Sequence, residues 1–176
     1  RGPENRAGRG KRLREGGLGD ESSTNKCFAD ARAGKLPAVT IYKPQSNLNI
    51  HAGYADVASG ERHINRALEV LQESPQWKNM VVIVTVDENG GWWDHVAPPK
   101  GDRWGPGTRI PALVVSQVAR KGTVDHTVYD TASILRLITR VFQLETLDGL
   151  KQRDDAMTAR GQKPMGDLTN ALHFKV

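Results

Sequence analysis

The chain has 176 residues, 38% hydrophobic and 26% charged, a composition that suits one compact domain or two very small ones and excludes collagen-like, coiled-coil and wholly disordered classes. Its formal charge of +5 is concentrated at the start: Arg1, Arg6, Arg9, Lys11, Arg12 and Arg14 face only Glu4, and the remaining body is neutral. A neutral body argues against a dedicated polyanion-binding face, and no nucleic-acid partner is expected. Cys27 is the single cysteine, so neither an internal disulfide nor a thiolate-rich metal site can form.

Residues 1–25 are rich in Gly, Arg and Glu, with too few apolar side chains to offset ordering entropy, and read as a disordered basic leader. The run from Leu36 to Tyr42, containing Val39, Thr40 and Ile41 and closed by Pro44, reads as a buried strand. After Ser59, the spacing of Ile64, Ala67, Leu68 and Leu71 predicts an amphipathic helix that stops near Pro75. Met80 to Val86 is apolar without alternation, the pattern of a strand covered on both faces in a parallel sheet.

A Gly- and Pro-rich loop over residues 89–107 leads to a second β run, Ile110 to Ser116. Thr127 and Asp130 have the spacing of a helix cap, and the following helix has Ile134, Leu135, Ile138, Val141 and Phe142 as its apolar face. The order of elements predicts an α/β fold, three-layer α/β/α, with a mostly parallel sheet and right-handed crossovers. From Asp148 onward the sequence is polar, with Gly161, Pro164 and Gly166 as breakers, and reads as a peripheral tail over residues 148–176.

In such a sheet, ligands gather at the carboxyl ends of the strands. Asp87 and Glu88 fall there, and Asn89, Gly90 and Gly91 supply the break in the pleat that lets neighbouring side chains serve one ion. Two carboxylates on such a turn are part of the oxygen shell a hard divalent cation takes. The bland alternative is an acidic strand exit whose charges are solvated. His95 follows Asp94, which could orient it, though loop carbonyls could equally satisfy the ring. Trp92 and Trp93 read as packing or pocket wall. His51 lies in the loop after the first predicted strand and His126 in a later loop, so three strand ends could converge. Arg103 and Arg109 could clamp an anion or pair with Asp102. His63 reads as a surface or satisfied group, and His173 as uninvolved.

Four stretches carry a resemblance: Lys35 to Pro44, Asn49 to Tyr54, Val84 to Pro99 and Val124 to Arg136. Together they resemble the bacterial phosphoesterase family of acid phosphatases and phospholipases C, alkaline-phosphatase-like in fold, over about residues 26–145. The stretch Asp87-Glu88-x-Gly90-Gly91-x-x-Asp94-His95-Val96-x-Pro98-Pro99 is the most specific. The resemblance implies that Asp87 and Glu88 are ligands of a divalent metal ion and that His51 stands in the phosphate pocket, with His95 and His126 in family motifs. Its substrates would be phosphate monoesters or phospholipids, and its location periplasmic or secreted.

The family pattern reads His-Pro-Gly where this chain has His51, Ala52 and Gly53. Family members are longer, and their N-terminal part holds a Glu-Asn metal pair and a phosphorylated Ser or Thr; Glu4 and Asn5 stand in an unlike context. The chain is therefore expected to be the carboxyl-terminal portion of a phosphoric ester hydrolase without its hydroxyl nucleophile. The rival readings are a non-catalytic remnant that keeps part of the site, and a nucleic-acid-binding protein using the basic leader. No stretch reaches the roughly 20 apolar residues of a membrane span, and no apolar run follows the leader as in a signal peptide.

Overall fold

A computed structural model describes residues 21–53 and 55–173. They form a mixed α/β structure in two compact units, Arg1–Met80 and Val81–Val176.

In the first unit, α1 spans Glu21–Arg32 and α2 spans Val57–Gln72. Residues 21–25 are thus helical, correcting that end of the expected disordered leader; residues 1–20 lie outside the described residues. The helix extends this far because Cys27, Phe28 and Ala31 share a stripe that is buried against Val70 of α2, with Ala67 and Leu71 packed around them. The α2 helix starts two residues ahead of Ser59. Its cap is Asp56, whose carboxylate accepts the Ser59 N–H at 2.7 Å.

The expected strand from Leu36 to Tyr42 is absent, and the correction has a local cause. The Leu36 N–H donates to the Gln76 side-chain carbonyl at 3.0 Å and the Leu36 C=O accepts from the same amide at 3.1 Å, so a glutamine takes the place of a ladder partner. Ile41 is 83% exposed, while Leu36 and Tyr42 reach the core. The Tyr42 hydroxyl lies 2.7 Å from His63 Nε2, and both rings pack near Phe28. His63 is therefore satisfied inside this unit, and burial lowers its pKa.

In the second unit, β1 (Val81–Thr85) and β2 (Ala112–Ser116) pair antiparallel, with Val81 opposite Ser116 and Thr85 opposite Ala112. Both β runs lie where the sequence predicts them, but the expectation of parallel pairing does not hold for these two. A parallel pair needs a crossover, usually helical, whereas the connection over residues 86–111 holds no helix and returns the chain beside itself. Among the described residues the sheet has these two strands alone.

Two further helices follow, α3 (Ala132–Val141) and α4 (Asp148–Thr158). The α3 start is held by a reciprocal pair: Ser133 N–H donates to the Asp130 carboxylate at 3.0 Å, and the Asp130 N–H donates to the Ser133 hydroxyl at 3.1 Å. Thr127 takes no part in that cap; its hydroxyl accepts from Asn170. The buried line of α3 is Ser133 and Leu137, with Ile134 packed beside them, whereas Leu135, Val141 and Phe142 are exposed.

The segment after Asp148 is not peripheral. Leu168 and Leu172 form the core with Leu137, and Val81, Ile83, Val114 and Tyr129 pack against them. Polarity hid this role: only every few residues does the tail present an apolar side chain, and Leu150, Met157, Met165, Leu168 and Leu172 are all buried. The Arg136 guanidinium fastens α3 to α4 through two bonds to Asp154, at 2.8 and 2.7 Å.

Candidate active site

The β1 strand delivers its last residues into a turn made by side chains. Glu88 accepts the Gly90 N–H at 2.9 Å, Asn89 accepts the Gly91 N–H at 3.2 Å, and the Asn89 amide donates to the Trp92 carbonyl at 2.9 Å. Gly90 and Gly91 have φ of 65° and 76°, a left-handed succession that other residues rarely adopt. The pleat therefore ends where the sequence places the break, with Asp87 and Glu88 both exposed on the turn.

Beyond it, the loop is organised by Asp94. Its carboxylate accepts four N–H groups: the backbone of Val96 at 3.0 Å, the backbone of Arg109 at 2.9 Å, and Arg109 Nε and Nη2 at 3.1 and 2.8 Å. The Arg109 guanidinium, with the Val96 and Arg109 backbone donors, holds this carboxyl well below the usual carboxylate range. Asp94 is thus committed to Arg109 and does not orient His95, whose ring lies 6.0 Å from that of Trp93. Arg109 in turn is no anion clamp.

Asp102 pairs with neither Arg103 nor Arg109. It accepts from Arg153 Nε at 2.8 Å, and the same guanidinium reaches Asp130 at 3.1 Å. One α4 side chain thereby ties the loop to the cap of α3. Arg103 lies over the Trp104 ring, 4.4 Å from its centroid. The turn between them is tight: a Cβ at Gly101 would fall on the Gly105 carbonyl.

The remaining candidates are His51 and His126. His51 belongs to the first unit, half-buried, where its Nδ1–H donates to the Ala52 carbonyl at 2.7 Å and its backbone N–H to Asn49 Oδ1 at 3.0 Å. His126 is exposed, between Asp125 and Thr127. Next to it, Asp125 accepts from the Thr127 N–H and from the Tyr129 hydroxyl. Burial and that acceptor push the Tyr129 phenol up to about 12. Among the described residues no three His, Cys, Asp or Glu side chains gather as a metal site would require. Two carboxylates by themselves are fewer oxygen donors than a hard divalent cation takes.

Sequence reasoning missed Arg153 and the Asp94–Arg109 bracket. Pairs of residues 15 to 51 positions apart leave no periodic signal, and the arginine that Asp102 meets lies in α4 rather than in the loop.

Against known proteins, the chain matches the phosphoesterase family over residues 4–145. It belongs to that family. The match takes in most of the basic leader, which the quoted motifs leave aside. The chain is 31% identical over 149 residues to non-specific phospholipase C6 of Arabidopsis thaliana, covering 66% of this chain and 28% of that protein. It is 30% identical over 171 residues to phospholipase C B of Mycobacterium tuberculosis, covering 83% of this chain and 31% of that one. The chain thus spans less than a third of the length of these curated relatives. Among the described residues no helix is long and apolar enough to cross a membrane.

Proposed function

We propose that this chain carries part of the active site of a phosphoric ester hydrolase of the phospholipase C type, acting on phospholipids or related phosphate esters. The observation that carries the reading is the Asp87–Glu88 turn: two adjacent carboxylates leave a strand end on a left-handed glycine pair, in a chain of the phosphoesterase family. The names of the plant and mycobacterial relatives favour phospholipids over small monoesters.

In this reading Asp87 and Glu88 contribute ligands to a divalent cation whose other ligands come from elsewhere in the enzyme. The cation, when bound, would supply positive charge for developing phosphate oxyanions. His51 would hold phosphate oxygens by hydrogen bonding, with Nδ1–H already spent on Ala52. His95 and His126 would serve the phosphate or the leaving group as donors. The hydroxyl nucleophile comes from outside this chain. The β1–β2 ladder would join a larger, mostly parallel sheet covered by helices on both faces, and the exposed Leu135, Val141 and Phe142 of α3 would be covered there. Periplasmic or secreted placement goes with the same reading.

Titration of the chain with Ca²⁺ or Mn²⁺ tests it. Asp87→Asn should weaken binding and His173→Ala should not. Equal affinities for wild type and Asp87→Asn would remove Asp87 from the site. The chain by itself should release no p-nitrophenol from its phosphate ester.

A further inference from the structure

We propose that Arg109 is the positioning residue of the Asp87–Glu88 turn, holding it at the sheet end through Asp94. The inference deepens the cation reading and rests on it for what the turn holds. The connection over residues 86–111 is closed at its base by the Thr85–Ala112 ladder pair and by the Thr85 hydroxyl, which donates to the Pro111 carbonyl at 2.9 Å. It is closed a second time at Asp94, whose carboxylate accepts the Arg109 backbone N–H at 2.9 Å and the Arg109 guanidinium at 3.1 and 2.8 Å.

The two closures share one anchor. Arg109, Ile110 and Pro111 are consecutive, and Ile110, standing before a proline, is confined to extended backbone. Residues 86–93, which contain the whole turn, therefore leave this anchor at Thr85 and come back to it at Asp94. A closed segment this short has far fewer conformations than the full connection, because the freedom of a loop grows with its length. The bonds inside the turn, from Glu88 to Gly90 and from Asn89 to Gly91 and Trp92, span two or three residues. They set its shape, whereas the bracket sets where it stands against the sheet.

Charge and geometry predict opposite effects of removing Arg109. Its guanidinium is a positive charge on the loop that would hold a cation, so by Coulomb attraction alone its loss should tighten cation binding. As the holder of the turn its loss should weaken binding, since partners that orient metal ligands commonly carry about ten-fold or more of the affinity. The role needs the planar fork, with Nε and Nη2 on one carboxylate, which an ammonium does not reproduce. The Arg109 side chain is 62% exposed, so its substitution opens no cavity, and an ion pair open to water on one side adds little to overall stability.

The experiment measures backbone amide relaxation of the 176-residue chain, followed by Ca²⁺ titration read from the Gly90 and Gly91 amide shifts. In Arg109→Met the order parameters of Gly90 and Gly91 should fall from about 0.85 to below about 0.6, while Val82 and Val84 of β1 keep theirs. The Ca²⁺ dissociation constant should rise about ten-fold. Arg109→Lys, which keeps the charge but not the fork, should resemble Arg109→Met in both. Unchanged order at the two glycines, Ca²⁺ binding equal to or tighter than wild type, or full recovery by lysine would overturn the proposal. So would loss of order at Val82 and Val84 as well, which would make Arg109 a general stabiliser. Asp87→Asn keeps the two readings apart. Weak binding there beside wild-type binding in Arg109→Met removes the positioning role alone. Equal binding by wild type and Asp87→Asn removes the cation reading, and the order parameters still decide whether Arg109 holds the turn.

Discussion

Leu172→Ala tests whether the carboxyl-terminal segment completes the core of the second unit. Leu172 is 1% exposed and shares its cluster with Leu137 and Leu168. Truncation removes three buried carbons, about 2.4 kcal/mol at about 0.8 kcal/mol each. Incomplete collapse of the space raises the total to about 3 kcal/mol. For a unit of this size that lowers the melting temperature by roughly 15 °C. Urea unfolding followed by far-ultraviolet circular dichroism measures the loss, and amide exchange at Val82 and Val84 of β1 locates it in the second unit. Leu147, 54% exposed, is the control, and its alanine variant should stay within about 0.5 kcal/mol of wild type. A Leu172→Ala protein as stable as the control would refute the assignment of the tail to the core.

Arg136→Met should cost about 2 kcal/mol, because it leaves the half-buried Asp154 carboxylate without its two-pronged partner; no change in the urea midpoint would contradict that role. Asp94, with its pKa held below the ordinary carboxylate range, favours the ordered loop at every pH above its unfolded value and ceases to do so as pH falls through the lower folded value. Proteolytic protection of the loop should therefore be flat from pH 7 to about 4 and decline only below, and a decline beginning near pH 6 would assign it to another group. Tyr129 binds its proton more tightly in the fold, so its contribution is complete below the unfolded value near 10 and is lost as pH rises toward 12; absorbance at the phenolate band should show one tyrosine titrating late. His63 works in the opposite sense, stabilising the first unit above its unfolded pKa of about 6.5 and ceasing to as pH falls through its lower folded value, which thermal melts at pH 7.5 and 5 will report.

Local signals carried the elements they govern. The unbroken Val81–Thr85 run, the second run ending at Ser116 and the helical spacings of α2 and α3 were legible because each depends on neighbours within a few positions. The Asp87-to-Gly91 turn was legible for the same reason: its acids, asparagine and glycines are contiguous, and each bond within it spans two or three residues. What failed was non-local. Leu36 met Gln76, forty positions away, instead of a strand, and nothing in the run itself announces that partner. Antiparallel pairing depended on the path of the 86–111 connection, and the tail's role on where Leu168 and Leu172 land after a polar helix. The direction of Asp94 was likewise set by Arg109 across the loop rather than by the adjacent histidine.

The closing stretch of the chain returns to the segment after β2: the Arg120 N–H donates to the Ala171 carbonyl at 2.9 Å, and the His173 N–H to the Val118 carbonyl at 2.8 Å. On a ribosome, residues 168–173 emerge after everything they cover. Until they arrive, Val81, Ile83 and Val114 lack Leu168 and Leu172 over them, and a nascent intermediate carries that sticky surface. Deleting residues 168–173 would hold the second unit in that state and leave a chain prone to clump.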